Sequence, residues 1–474
     1  MDSWGVAVLA LSLCLALAAF LLRRPRRRLP PGPPGIPILG SLLLFTVSAA
    51  NFESVLRKLW SKYGPVVTIR RGSHPIVMVG DRDLAHEMLV RHGAVFADRP
   101  SLSPPLRLFT SNQCNITTAR YGPLWRLLRR NLATEMLKPS RVRQCADARG
   151  WVLHVLLEKL RLAATARDDA VAVKETFQSA VFSLLVFLCF GEKLEEAAVR
   201  EIDAVQRDML RCFGNFSIFE FTPKIMRHLF TAGWYRLLQI RQRQREIFLP
   251  LIRSRLEQKE SGVQGENSFR YSYLDSLLDL EIPEEKGRKL NDEEIITLCS
   301  EFLERLAEEV GAKTTEDDLQ KKPYLKAVVL EALRRHPPVQ FPFPRATTDE
   351  ISLGGYTIPK GATVGFAAVK MNLDGETWPD PLEFRPERFL PGGEGEDVDI
   401  TGSKKIQMMP FGVGRRICPG MGLALLHLEL FVANLVGEFR WEAAADGGEV
   451  DLSEKIEVSA VMRNPLRARI SSRR

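Results

Sequence analysis

Phe411-Gly412-Val413-Gly414-Arg415-Arg416-Ile417-Cys418-Pro419-Gly420 holds one cysteine between glycines and arginines, just ahead of an apolar run, Pro419 to Val436, that reads as a helix. Pro419 is tolerated in a first helical turn, where no backbone donor is missed. Cys418 is thereby placed at a helix N-terminus, where the macrodipole and unpaired N–H groups favour a thiolate, the form of cysteine that ligates iron. Gly414 and Gly420 would let the backbone approach both the sulfur and a flat macrocycle, since a Cβ there would collide. A lone cysteine beside a helix is more often a small buried hydrophobe; the ten-residue spacing is what argues for a ligand.

Two further groups carry chemistry. In Tyr121-Gly-Pro-Leu-Trp-Arg-Leu-Leu-Arg-Arg130, Trp125 and Arg129 stand at i and i+4, so they share a helical face, and both only donate hydrogen bonds. Two such donors together call for an anionic target; the plainer alternative is an amphipathic helix with a snorkelling arginine. Glu331 and Arg334 stand at i and i+3 in Tyr324 to Arg335, ahead of His336-Pro337-Pro338. As an exposed pair they would contribute only about 0.2–0.5 kcal/mol.

The elements that must position these residues are mostly helical. Amphipathic periodicity predicts helices over Asn51 to Lys62, Asp83 to Arg91, Tyr121 to Leu137, Val142 to Ala163, Glu175 to Phe190, Glu196 to Cys212 and Leu237 to Glu260. Pro65 to Arg71 and Pro75 to Val79 read as a hairpin, and Ile351 to Ile358 with Ala362 to Phe366 as short strands turning at Gly354-Gly355. Trp4 to Leu22 is uncharged and, as a helix, about 28 Å long against a hydrocarbon core of roughly 30 Å. The arginines at 23, 24, 26, 27 and 28 follow it, which keeps them cytosolic and argues against a cleaved signal peptide. Leu29-Pro-Pro-Gly-Pro-Pro-Gly35 is a stiff proline-rich spacer.

Phe-x-x-Gly-x-Arg-x-Cys-x-Gly resembles the haem-ligand motif of the cytochromes P450 at all five fixed positions. The resemblance implies that Cys418 is the axial ligand of haem b, that Phe411 packs by the sulfur, and that Arg416, Trp125, Arg129 and Arg345 meet the haem propionates. It implies that Glu331, Arg334 and Arg388, the last within Phe384-Arg-Pro-Glu-Arg-Phe389, interlock as a structural triad. The expected fold is the P450 fold, mainly α with a small β region (α+β), preceded by one N-terminal transmembrane helix. Residues 1–28 would be the signal-anchor and stop-transfer run, 29–36 the hinge, and 37–474 the catalytic domain. Phe96-Ala-Asp-Arg-Pro100 and Tyr121-Gly-Pro-Leu-Trp125 are in the style of plant microsomal members.

By resemblance the activity is a haem-thiolate monooxygenase on the cytosolic side of the endoplasmic reticulum membrane. It would take electrons from NADPH–cytochrome P450 reductase and insert one atom of O2 into an apolar small molecule. Arg126, Arg130, Lys404, Lys405 and Arg415 are candidates for the basic surface that meets the reductase. One stretch departs from the family. Leu290 to Leu303 resembles the first half of the central distal helix, and Glu304 to Val310 then resembles the helix that normally follows. The Ala/Gly-Gly-x-Asp/Glu-Thr-Thr segment for O2 activation is missing, so no catalytic residue is assigned. Gly311-Ala-Lys-Thr-Thr315 lacks the acid and reads as a loop. If a helix runs from Asn291 to Val310, then Glu301, Glu304, Arg305, Glu308 and Glu309 make a charged run suited to solvent. A catalytically silent relative or defective gene product is therefore the alternative.

Composition agrees with an intracellular enzyme. The 474 residues, 45% hydrophobic, suffice for a large core. The seven cysteines are odd in number, with no C-x-x-C pair, so neither a disulfide framework nor a zinc site is indicated. Net charge is +8; five of these come from the arginines after the anchor, and the +3 left gives nucleic-acid binding little support.

Overall fold

In a computed structural model the described residues are Ser12, 29–34, 51–71, 74–165, 170–215, 231–262, 271–306, 322–443, 450–456 and 459–473. Apart from Ser12, the anchor and its arginines lie outside them, as do residues 307–321 and with these Glu308, Glu309 and Gly311 to Thr315.

Helix α1 (Phe52–Tyr63) buries Leu56, Leu59 and Trp60, one turn apart on a single face, and ends where Gly64 takes φ +93°. The hairpin follows as β1 (Val66–Arg71) and β2 (His74–Val79), antiparallel with Val66 opposite Val79. Strand alternation separates two cores. Val77 and Val79 point into one with Val364 and Phe366, while Ile76 and Met78 point to α1. β2 pairs in parallel with β9 (Thr363–Phe366), which carries β6 (Arg345–Ala346) on its far side. β1 is thus an edge, and edges seek partners. The proline-rich segment supplies one: Thr68 N–H donates to Pro31 O at 2.9 Å, and a Cβ on Gly32 would lie 1.9 Å from Thr68 O. This part of the expected spacer is docked on the sheet.

The helical body surrounds α7 (Val173–Phe190), apolar on all sides, with every residue from Val181 to Phe190 buried except Ser183. Around it lie α6 (Ala146–Thr165), α8 (Glu196–Asn215), α9 (Thr231–Ser261), α10 (Tyr273–Leu278) and α11 (Asp292–Leu306). The short strand β3 (Val171–Ala172) precedes α7, and β4 (Glu281–Ile282) pairs with β5 (Arg288–Lys289) between α10 and α11. The expected helix from Asp83 to Arg91 is instead α2 (Arg82–His86) and a π turn, Glu87–Arg91, closed by His92 N–H donating to Glu87 O. α3 (Pro104–Phe109), α4 (Pro123–Glu135) and α5 (Pro139–Gln144) each begin with proline. The second turn-rich half holds α12 (Pro323–Arg335), the hairpin β7 (Ile351–Leu353) and β8 (Tyr356–Ile358), α13 (Ala368–Asn372) and α14 (Met421–Glu438), which runs into β10 (Phe439–Ala443). The turn between β7 and β8 is Gly354-Gly355, with φ of +57° and +79°.

Glu331 and Arg334 of α12 are wholly buried and form a two-pronged ion pair, 2.6 and 2.8 Å. Arg388, equally buried, approaches the same carboxylate at 3.5 Å and donates to Asp380 O at 2.8 Å. Arg334 also donates to the carbonyls of Asn372 and Pro381, and Glu331 accepts the N–H of Arg385. The cluster ties α12 to the irregular chain leading to Phe411. Glu331→Ala leaves two guanidinium groups buried without their carboxylate and is expected to cost about 3–5 kcal/mol, read as a shift of the urea unfolding midpoint.

Candidate functional site

The cysteine loop is closed by its own backbone: Cys418 N–H donates to Phe411 O at 2.9 Å. Gly412 and Gly414 take φ of +67° and +76°, the left-handed region that glycine enters without strain. At Gly414 a Cβ would stand 2.1 Å from the carbonyl oxygen of Leu89, in the π turn. This chain's own backbone already demands glycine there. Gly420 caps α14, which starts at Met421, so Pro419 precedes the helix and Cys418 lies two residues ahead of the cap.

Four basic or donor side chains gather here, Arg416 from the loop itself, Trp125 and Arg129 from α4, and Arg345 from β6. Trp125 and Arg129 come from α4, with the Arg129 guanidinium 5.7 Å from the Trp125 ring centroid. Arg416 stacks on the same ring at 4.3 Å. Trp125 Nε1 donates to Ile116 O, while Arg416 donates to the carbonyls of Ala97 (2.8 Å), Ile116 (3.2 Å) and Ala119 (2.6 Å). These donors, expected on propionates, hold the backbone of residues 116–119. A guanidinium has five N–H bonds, so Arg416 keeps donors for a further acceptor.

Arg345, on β6, differs. It is 3% exposed, its Nη1 has no hydrogen-bond partner, and Nη2 reaches Val413 O only at 3.5 Å. Burial first, then the charges of Arg416 and Arg129, pushes its pKa down to about 9. Arg416 is lowered by burial to about 10, and Arg129 is lowered by burial and partly restored by Cys418. A guanidinium keeps its proton in a protein, so this downward push amounts to a demand for an anion. Crowded cations with a buried orphan donor fit the carboxylates of haem, with Cys418 beside them for its iron.

The sequence reading missed what organises residues 116–119. Glu301 of α11 is 9% exposed and accepts the N–H groups of Ile116 (2.8 Å) and Thr117 (2.7 Å). It is therefore buried and satisfied, against the expectation of a solvent-facing run. Arg99, buried, donates to Thr117 O and to the carbonyls of Phe343 and Pro344, next to Arg345. Its only sequence signal was its place in Phe96 to Pro100.

Of the candidate reductase patch, Arg126 and Arg415 are exposed and flank Tyr121, each 5.8 Å from its ring centroid. Lys404 and Lys405 line a separate cleft with Asp81, Asp83 and Glu87.

The Cytochrome P450 family model matches residues 30–304 and 304–471. The chain belongs to the cytochrome P450 family, the oxidoreductases whose haem carries a cysteine thiolate ligand. It is 40% identical to Cytochrome P450 89A9 of Arabidopsis thaliana, over 99% of this chain and 98% of the relative. It is 28% identical to the iridoid oxidase of Catharanthus roseus, over 98% and 97%. A retinoic acid-bound cyanobacterial CYP120A1 structure shares the fold, with TM-score 0.72 at 21% identity over 94% of this chain and all of that one. The family match stops and resumes at the same residue, Glu304. The alignment with the Arabidopsis protein runs to 511 positions against 474 residues, so at least 37 of them have no counterpart here.

Replacing Arg345 by leucine removes a charge that the apo site leaves unpaired. Arg345→Leu is expected to stabilise the haem-free chain by about 1–4 kcal/mol and to weaken haem retention at the same time. Urea unfolding and haem titration on one sample check the opposite signs.

Proposed function

We propose that this chain is built as a haem-thiolate monooxygenase for an apolar small molecule, with electrons supplied by NADPH–cytochrome P450 reductase. The observation that carries the reading is the gathering of Arg345, Arg416, Arg129 and Trp125 beside the Cys418 loop, with the Arg345 donor unpartnered. Haem bound there would supply the activation of O2. Cys418 would hold its iron, Arg345 and Arg129 would face its carboxylates, and Arg416 would add its remaining donors while fixing residues 116–119. Replacing Cys418 by alanine should abolish the red-shifted Soret band of the reduced, CO-bound chain. Persistence of that band in Cys418→Ala would remove the ligand assignment.

A second reading, a silent or defective form, is favoured by the break at Glu304. O2 cleavage needs protons delivered at the distal side. Glu301, the buried acid near the end of α11, has both oxygens engaged as acceptors from Ile116 and Thr117. It is placed to hold a loop, and hands on no proton in this arrangement. The unmodified chain is therefore expected to bind haem weakly and to release its electrons as hydrogen peroxide. Inserting a segment with Ala-Gly-x-Asp-Thr-Thr after Leu303 should restore the thiolate–CO band and coupled oxidation; robust product formation by the unmodified chain would refute this reading.

Membrane attachment through residues 4–22, with the body in the cytosol at the endoplasmic reticulum, is part of the same proposal. Two sequons test the orientation, Asn115-Ile-Thr117 and Asn215-Phe-Ser217. Asn115 is buried and its Oδ1 accepts from Thr118 N–H, so Asn215 is the informative one. It should stay unmodified, and a glycosidase-sensitive mass shift would reverse the orientation. Docking through Arg126 and Arg415 predicts that reduction by the reductase slows as salt rises to several times physiological strength. A rate indifferent to salt would count against that surface.

A further inference from the structure

Between the end of α12 and Arg345 the chain takes neither helix nor strand, and four of the eight residues from Pro337 to Pro344 are proline. Each proline fixes φ and removes an N–H, so this strut is stiff and cannot be held by a ladder of its own amides. Its anchors must come from side chains and from donors aimed at its carbonyls. At the far end Arg99 donates to the carbonyls of Phe343 and Pro344. In the middle Phe341 meets Phe52 of α1 edge-on, with 5.1 Å between ring centroids, and Gln340 O accepts from Val369 N–H at 3.3 Å.

The near end is gripped by one carboxylate. Glu454 opens β11 (Glu454–Ile456), which pairs antiparallel with β12 (Ala460–Met462) in a sheet of two strands. One Glu454 oxygen meets His336 Nδ1, and the other accepts from Gln340 Nε2 at 3.1 Å. Across the hairpin, Ala460 N–H donates to Pro338 O at 2.9 Å. The His336 contact first, opposed by burial and aided by Arg335 and Gln340, holds the Glu454 carboxyl below its ordinary range, so it is ionised at neutral pH. A hairpin of two short strands is marginal by itself; here hairpin and strut fix one another. Arg345 depends on this. Its strand β6 has two residues only, and its guanidinium has no partner at Nη1 and a single 3.5 Å contact at Nη2. Where the guanidinium points is therefore set by how the strut enters β6.

We propose that Glu454 is a positioning residue for Arg345: by gripping His336 and Gln340 it sets the proline strut that presents the guanidinium to an anionic group. This rests on the reading of the Arg345 corner as the seat of haem's carboxylates, and a double-mutant cycle read by haemin titration of the full, haem-free chain separates the two. Glu454→Ala should weaken haemin binding about fivefold or more while Arg345 is present, and less than about twofold in the Arg345→Leu background, where nothing is left to position. Glu454→Gln, which can accept from Gln340 and donate to an unprotonated His336 Nδ1, should recover most of the loss. An equal loss in both backgrounds, or none in either, overturns the proposal. If Arg345→Leu alone leaves haemin binding unchanged, the reading of the corner falls and the proposal with it. Without haem, Glu454→Ala should speed amide deuterium exchange at Ala460 and also at Ala346, whose N–H donates to Asp98 O. Faster exchange at Ala460 alone would show the hairpin moving without the strut and would likewise overturn it. Should Glu454→Ala fail to fold, Gln340→Leu removes one of the two contacts and enters the same cycle; a loss confined to the chain that keeps Arg345 is expected, and any other result counts against Glu454.

Discussion

Three guanidinium groups, those of Arg129, Arg345 and Arg416, crowd one corner of this protein, and none of them forms an ion pair among the described residues. Like charges in a low-dielectric setting repel strongly, so such a cluster persists only where surrounding structure holds it. Much of the second half of the chain does this holding. Arg345 is fixed by its strand, paired with β9. Arg416 is fixed by three carbonyls, two of them on residues 116–119, which Glu301 and Arg99 grip from the other side. The cation cluster is thus strained electrostatically and secured mechanically, the condition of a site preorganised for an anionic group.

The cysteine loop and the buried triad were the most legible parts of the sequence because each is fixed by short spacing with a physical reason. Glu331 and Arg334 share a helical face, and their wholly buried, two-pronged pairing is an outcome that i, i+3 spacing allows. The central helices were equally legible through their periodicity. What spacing does not encode is the far partner. Trp125 and Arg129 stand on one face as expected, yet Trp125 bonds to Ile116 O, a group nine residues earlier in a turn. At Gly414 a Cβ would also meet the carbonyl oxygen of Leu89, in a π turn that no helical periodicity distinguishes from an ordinary helix. Glu301 looked like a surface acid because its partners are backbone amides, which leave no trace in the residue types around them.

The break at Glu304 falls differently on the two sides of the site. The ligand loop, Trp125, Arg345 and the triad lie on elements that pack among themselves: the four-stranded sheet, α4, α12 and the chain before α14. The hydrogen bonds these residues make are made among the described residues, with Arg345 Nη1 and Arg388 Nε and Nη1 left without a partner. The opposite side is met by α11, which is described as far as Leu306. Glu301, buried near the end of this helix, clamps residues 116–119 through the amides of Ile116 and Thr117.

The elements on this side also hold α14 in place. Its inner face is packed by α12, β10 and Phe177, all of which are present, so Gly420 and the loop carrying Cys418 are held at its start. On its outer face Met421, Leu425, Leu428 and Val432 are half-buried and Val436 is exposed. Burying apolar surface stabilises by about 25 cal/mol per Å2, and five aliphatic side chains left partly in water forgo a share of that. The position of the ligand loop therefore rests on the inner face of α14 as well as on the donors around Arg345.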